Sequence, residues 1–73
     1  MTMEYAQALG GAIRAVRKKK RMTVSEVHYR SRIGEKSIAK IERGTVHTSL
    51  DLLFALCEVL EVKPSTLFEM AGL

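Results

Sequence analysis

Apolar residues recur at spacings of three and four along nearly all of this chain, and no stretch alternates with period two for long enough to make a good strand. The pattern predicts an all-α fold, and the punctuation divides it into five helices. A first helix is expected from Glu4 to about Lys20, with Leu9, Ala12, Ile13 and Val16 as its buried stripe. Thr23-Val24-Ser25-Glu26 fits a capping box, so a second helix should start after Thr23, turn Val27 and Ser31 inward, and stop near Ser31. A third should span Glu35 to Arg43, bury Ile38 and Ile41 together with Ile33, and close on Gly44. A fourth is expected from an N-cap at Ser49 to about Leu60, with an apolar stripe of Leu50, Leu53, Phe54, Cys57 and Leu60. Pro64 suits the first position of a fifth helix, where a missing N–H costs nothing, and Leu67, Phe68 and Met70 carry it to about Ala71.

The chain has 73 residues and reads as a single domain, residues 1–73, with no repeat, low-complexity segment or linker. A domain this small hides only about 60% of the surface of its unfolded chain, so added stability from a second subunit is expected on size alone. With 47% apolar and 27% charged residues, the composition is that of a globular protein and not of a disordered segment. A lone cysteine, Cys57, rules out an intrachain disulfide and zinc-finger ligand sets; between Phe54 and Leu60 it reads as a small core hydrophobe. His28 and His47 lack companions at ligand spacing, so no metal is expected. There is no glycine-rich phosphate loop and no nucleophile–base pattern, which argues against an enzyme, a cofactor or a small-molecule ligand. No apolar run approaches the roughly 18 residues of a membrane span, and the N-terminus has no signal-peptide pattern, so a cytoplasmic location is expected.

Charge is divided along the chain. Residues 1–44 hold eleven Lys/Arg against four Asp/Glu, a surplus of +7, while residues 45–73 hold one against four, or −3, which together give the net +4. A basic half suggests one side that faces a polyanion. The cluster from Arg14 to Arg21 has a second reading, because cations in the last turn complement the helix dipole without any partner. The second and third helices are joined by Arg32-Ile33-Gly34, which is helix-turn-helix spacing. Alone this is a weak signal, since many small bundles contain two short helices and a turn.

The local sequence sharpens it. Met22-Thr23-x-x-Glu26-Val27, Ser31, Ser37-Ile38-x-x-Ile41-Glu42-Arg43-Gly44, Ser49-Leu50-x-x-Leu53 and Val62-x-Pro64-Ser65-x-Leu67-Phe68 together resemble the Cro/C1 (Xre) family of bacterial and phage repressor-type domains. Arg14-x-x-Arg17 also matches that family's first helix, and Ile38 to Gly44 is the most specific stretch. The resemblance implies a compact five-helix bundle of the lambda-repressor-like type, with its motif at residues 23–43. It implies a sequence-specific regulator of transcription, a repressor that binds double-stranded DNA as a homodimer on a palindromic operator. The third helix would then be the recognition helix, with Glu35, Lys36 and Lys40 at base-reading positions and Ser37 at a base edge or the backbone. Thr23 with the N–H groups at the start of the second helix, Arg32, Arg43 and the loop that contains His47 would meet phosphates. Glu35 has an equal reading as a carboxylate that favours its own helix N-terminus, and Arg43 one as a partner in charge pairing at the helix end. Arg17 and Glu42 would form an ion pair between the first and third helices. Leu67, Phe68, Met70 and Leu73 would supply dimer contacts, or else dock the fifth helix on the fourth. Because the chain stops just after the fifth helix, control is expected to come from protein concentration, a partner or promoter layout. Controllers of restriction–modification systems and antitoxins are plausible subtypes.

Four motif positions depart from the family. Val24 stands where Gln often meets phosphate, and His28 replaces a small residue where the two helices cross, so its ring must splay them or point outward. Arg32 occupies a turn position that favours glycine, and Gly34 replaces a Ser/Thr cap. A shifted turn or an unusual docking angle is expected. These departures leave a second hypothesis open, a protein-interaction module on the same fold with little affinity for DNA.

Overall fold

The computed structural model describes residues 3–73. Its elements are α1 (Glu4–Lys19), α2 (Val24–Ser31), α3 (Glu35–Arg43), α4 (Leu50–Leu60) and α5 (Pro64–Met70), with no strand among the described residues. The bounds follow local chemistry. At the start of α2 the Thr23 hydroxyl accepts from the Glu26 N–H at 3.1 Å, while the Glu26 carboxylate accepts from the Thr23 N–H at 3.2 Å. That is the reciprocal capping box read from the sequence. Ser49 Oγ caps α4 by accepting from the Leu52 N–H at 3.2 Å, and Pro64 opens α5.

Four helices end alike. After α1, α3, α4 and α5 the residue in the left-handed region is Arg21, Gly44, Glu61 and Gly72 respectively. In each case its N–H and the next one turn back onto the carbonyls of the last turn, as in Arg21 to Lys18 and Met22 to Arg17. The end of α2 differs. Arg32 is left-handed (φ 65°), and its N–H reaches the His28 carbonyl at 2.7 Å, but side chains complete the turn. Ser31 Oγ donates to the Val27 carbonyl at 2.6 Å and accepts from the Ile33 N–H at 3.1 Å. His28 Nδ1 lies 2.7 Å from the Ile33 carbonyl; since a carbonyl only accepts, that nitrogen carries the proton. The ring therefore points outward and ties down the turn, so the helices are not splayed around it.

One hydrophobic cluster joins all five helices. Its fully buried members are Ile13 from α1, Val27 from α2, Ile38 from α3, Leu56 and Leu60 from α4, and Leu67 from α5. Ile33 reaches it from the turn. Three expectations need correction. Leu50 and Phe54 are exposed, and the buried stripe of α4 is Leu53, Leu56, Cys57 and Leu60. Leu67 is wholly buried, which removes it from the expected dimer contacts and makes it the residue that docks α5. In α1, Leu9 is only half-buried, and the small residues Ala6 and Gly10 go deeper.

The packing of α3 on α1 positions everything that follows. A Cβ on Gly10 would collide with the Ile41 carbonyl oxygen and sit 2.9 Å from that of Glu42. A Cβ on Gly44 would lie 2.8 Å from the Gln7 nitrogen. The two backbones meet at these glycines, closer than any side chain allows.

Candidate nucleic-acid interface

With Ile38 and Ile41 buried, α3 is committed to one orientation, and Glu35, Lys36, Ser37, Lys40 and Arg43 are all exposed. Side chains of neighbouring helices meet it at both ends. At its C-terminal end the Arg17 guanidinium spans from α1 to Glu42, with Nε to Oε2 at 2.7 Å and Nη2 to Oε1 at 2.9 Å. Its remaining nitrogen, Nη1, donates to the Met22 carbonyl at 2.9 Å, which ties the same guanidinium to the entry of α2. The side chains keep 11% and 7% of their exposure, so this is a largely desolvated two-point pair and not a surface contact. The hydrogen bond that Arg17 donates to Glu42, opposed by desolvation, raises the Arg17 pKa above its already high ordinary value. Arg17 is therefore a permanent cation that joins three helices.

At the N-terminal end of α3, Ser25 Oγ donates to Glu35 Oε1 at 3.2 Å. This contact joins the first turns of the two motif helices. It draws the Glu35 carboxylate toward α2 and leaves Lys36, Ser37 and Lys40 as the outward-facing polar groups. Sequence reading missed Ser25, since nothing in the spacing of residues ten apart shows that two helix starts will lie side by side.

The other expected contacts are distributed unevenly. Thr23 is exposed, but its hydroxyl and its own N–H are both engaged by Glu26, so what it contributes is the helix start that follows it. Arg32 is exposed beside His28, Tyr29 and Arg30 at the far end of α2, away from the Glu35–Ser25 contact. Arg43 borders a cleft with Arg14, Arg17, Val24, Ala39 and Glu42. His47 is exposed in the loop between α3 and α4, behind Thr45, whose hydroxyl donates to the Lys40 carbonyl at 3.2 Å. Of the apolar residues expected at a subunit contact, Met70 and Leu73 are about half exposed and Phe68 packs partly on the core.

Among the described residues no group of three or more His, Cys, Asp or Glu side chains could hold a metal ion, and no helix is long and apolar enough to cross a membrane. Cys57 is 3% exposed, and burial pushes its thiol pKa up, away from the thiolate.

Two short helices crossing through a tight turn, with the second pinned to the first helix of a five-helix bundle and its polar face outward, define the helix-turn-helix class. A helix-turn-helix family model of the Cro/C1 type matches residues 13–67, and the chain belongs to that family. Among solved structures, the clp gene regulator ClgR from Corynebacterium glutamicum is similar with a TM-score of 0.90 and 29% identity, over 93% of this chain and 88% of that one. The wild-type restriction-modification controller protein C.Esp1396I is similar at 0.85 and 26% identity, over 93% and 88%. Its tetramer in complex with its natural 35-base-pair operator gives 0.84 and 26%, over 93% and 90%. No curated protein sequence matches the chain.

Proposed function

We propose that this protein is a sequence-specific regulator of transcription that binds double-stranded DNA through α3, acts as a homodimer on a palindromic operator, and represses. The observation that carries the reading is the state of α3. Lys36, Ser37 and Lys40 stand exposed on a helix fixed at its C-terminal end by the largely buried Arg17–Glu42 pair, with an exposed Ser25–Glu35 hydrogen bond at its start. Lysines can donate to guanine O6 and N7, and Ser37 can donate or accept, so G·C pairs are expected in each half-site. Arg43, Arg32, His47 and the start of α2 after Thr23 are assigned to the phosphates on either side. The operator complex of C.Esp1396I is support from a similar protein. Leu50 and Phe54, one turn apart on α4, join Met70 and Leu73 as the apolar residues offered to a second subunit. The working compartment would be the cytoplasm of a bacterium or of a phage host. A protein-interaction module on the same fold is the second reading; the exposed Leu50, Phe54, Met70 and Leu73 favour it, whereas His28, whose ring is bonded to the Ile33 carbonyl, lends it no support.

Selection from a mixed pool of duplexes at several salt concentrations tests the reading. Enrichment of one palindromic motif above a salt-sensitive background is expected. If nothing is enriched, and Lys36→Ala with Lys40→Ala leaves the weak background binding unchanged, the proposal fails.

A further inference from the structure

Ile33, the last residue before the cap of α3, is gripped at every group it has. Its side chain is buried in the core. Its N–H donates to Ser31 Oγ at 3.1 Å, and its carbonyl accepts from His28 Nδ1 at 2.7 Å. Both partners stand at the end of α2, and Ser31 is itself anchored by its 2.6 Å bond to the Val27 carbonyl. The two bonds bracket Arg32, whose left-handed backbone (φ 65°) is unfavourable for a residue with a side chain and persists only where its surroundings fix it. No side chain caps the start of α3, because Gly34 has none, and the Ser25–Glu35 hydrogen bond is exposed. Ile38 holds the helix to the core, but hydrophobic contact is non-directional and sets depth better than angle. The far end is fixed by Arg17–Glu42, so slack at the turn becomes a pivot about that end. Lys36 lies six residues before Glu42, about 9 Å along the axis at ~1.5 Å per residue. A pivot of about 10° carries it roughly 1.6 Å, beyond the ~0.5 Å within which a recognition group has to be held.

We propose that His28 is a positioning residue for sequence recognition. Its Nδ1–H, together with the Ser31 hydroxyl, clips the Ile33 backbone and so sets the angle at which α3 presents Lys36 and Lys40 to the bases. The proposal rests on the DNA-binding reading above. The role is exercised through the Ile33 carbonyl and asks for no contact between His28 and DNA. Its effect falls on discrimination and not on affinity in general. A long basic side chain can follow a phosphate through a small swing of the helix, whereas hydrogen bonds to base edges need a fixed geometry. Loss of the clip should therefore spare the salt-dependent background and weaken the preference for one sequence.

The test compares the full chain with His28→Leu, which keeps the bulk of the side chain without a donor, and His28→Asn, whose amide can donate to the same carbonyl. Affinities for the enriched palindrome and for a shuffled duplex are measured at a temperature where circular dichroism shows each variant fully folded. His28 is exposed, so both variants should fold. In His28→Leu the ratio of palindrome to shuffled affinity should fall roughly tenfold for a dimer, about what two hydrogen bonds of ordinary net strength contribute. Affinity for the shuffled duplex and its salt slope should stay at wild-type values, and His28→Asn should recover most of the ratio. Ser31→Ala, which removes the other clip, should lower the same ratio. An unchanged ratio in His28→Leu would overturn the proposal and leave the DNA reading intact. Equal losses on both duplexes would also overturn it, since the residue would then be merely structural. So would a loss in His28→Asn as large as in His28→Leu. Imidazole nitrogen NMR on the free protein, at a pH where the ring is neutral, should place the proton on Nδ1; a proton on Nε2 would sink the clip whatever the binding data show. A wild type with no preference for any duplex, but with the proton on Nδ1, would overturn the DNA reading and this proposal with it.

Discussion

Arg17 and Glu42 form the one salt bridge among the described residues, and it joins α1 to α3. Removing one leaves the other largely buried without its counter-charge, which for such pairs costs about 3 kcal/mol or more. Glu42→Ala should therefore lower the thermal midpoint by well over 10 °C, given about 4–8 °C per kcal/mol for a domain of this size. A calorimetric midpoint within a few degrees of wild type would place the pair in the weak, solvent-screened regime. Arg32 offers a change of opposite sign. It holds a left-handed conformation that disfavours a side chain, so Arg32→Gly should gain up to about 1 kcal/mol in urea unfolding while it removes a candidate phosphate contact. Cys57 tests burial directly. Desolvation raises its thiol pKa in the folded state, so its contribution to stability is complete below the unfolded thiol pKa and is lost as pH rises through the folded one. Alkylation at neutral pH should accordingly be far slower in the folded protein than in urea; equal rates would mean that Cys57 is accessible.

At the level of the element, the approach of α1 to α3 sets where the outward face of α3 points. Gly10→Ala places a methyl group against the Ile41 and Glu42 carbonyls and should cost about 1–3 kcal/mol of stability. It should also weaken duplex binding although every contact residue remains, because α3 must move off α1. Unfolding curves and binding isotherms on the same variant separate the two effects. Much of this level was legible beforehand. The bounds of α3 agree residue for residue with expectation, since a buried 3–4 spacing is framed by Gly34 and Gly44. The Thr23–Glu26 box was equally readable, because a capping box is local. The failures share a physical cause. The α4 segment is apolar on more than one side, so spacing alone could not choose between a face with Leu50 and Phe54 and one with Leu56. Leu67 looked available because α5 is short, and only tertiary packing shows it filled into the core. His28 and Ser25 act through contacts to Ile33 and Glu35, which depend on the turn geometry and on the crossing of α2 and α3, neither of which a one-dimensional pattern contains.

For the molecule as a whole, the division of charge between the basic first 44 residues and the acidic remainder has a structural counterpart. The helices that carry the motif come from the basic part, and the exposed Leu50, Phe54, Met70 and Leu73 come from the other. In the proposed reading polyanion binding, apart from His47, and subunit contact fall to different stretches of chain and should be separable by mutation. Leu50→Glu with Phe54→Glu should shift sedimentation from dimer to monomer with little loss of helical content, and should weaken binding to a palindrome far more than to a single half-site. The central claim, that α3 reads bases, is tested most directly by comparing Lys36→Ala and Lys40→Ala on the enriched palindrome and on a shuffled duplex of equal length and composition. Base contacts predict a loss of about 1–3 kcal/mol per substitution per half-site on the palindrome and a much smaller one on the shuffled duplex. Equal losses on both duplexes would contradict it, since the two lysines would then be touching only the backbone.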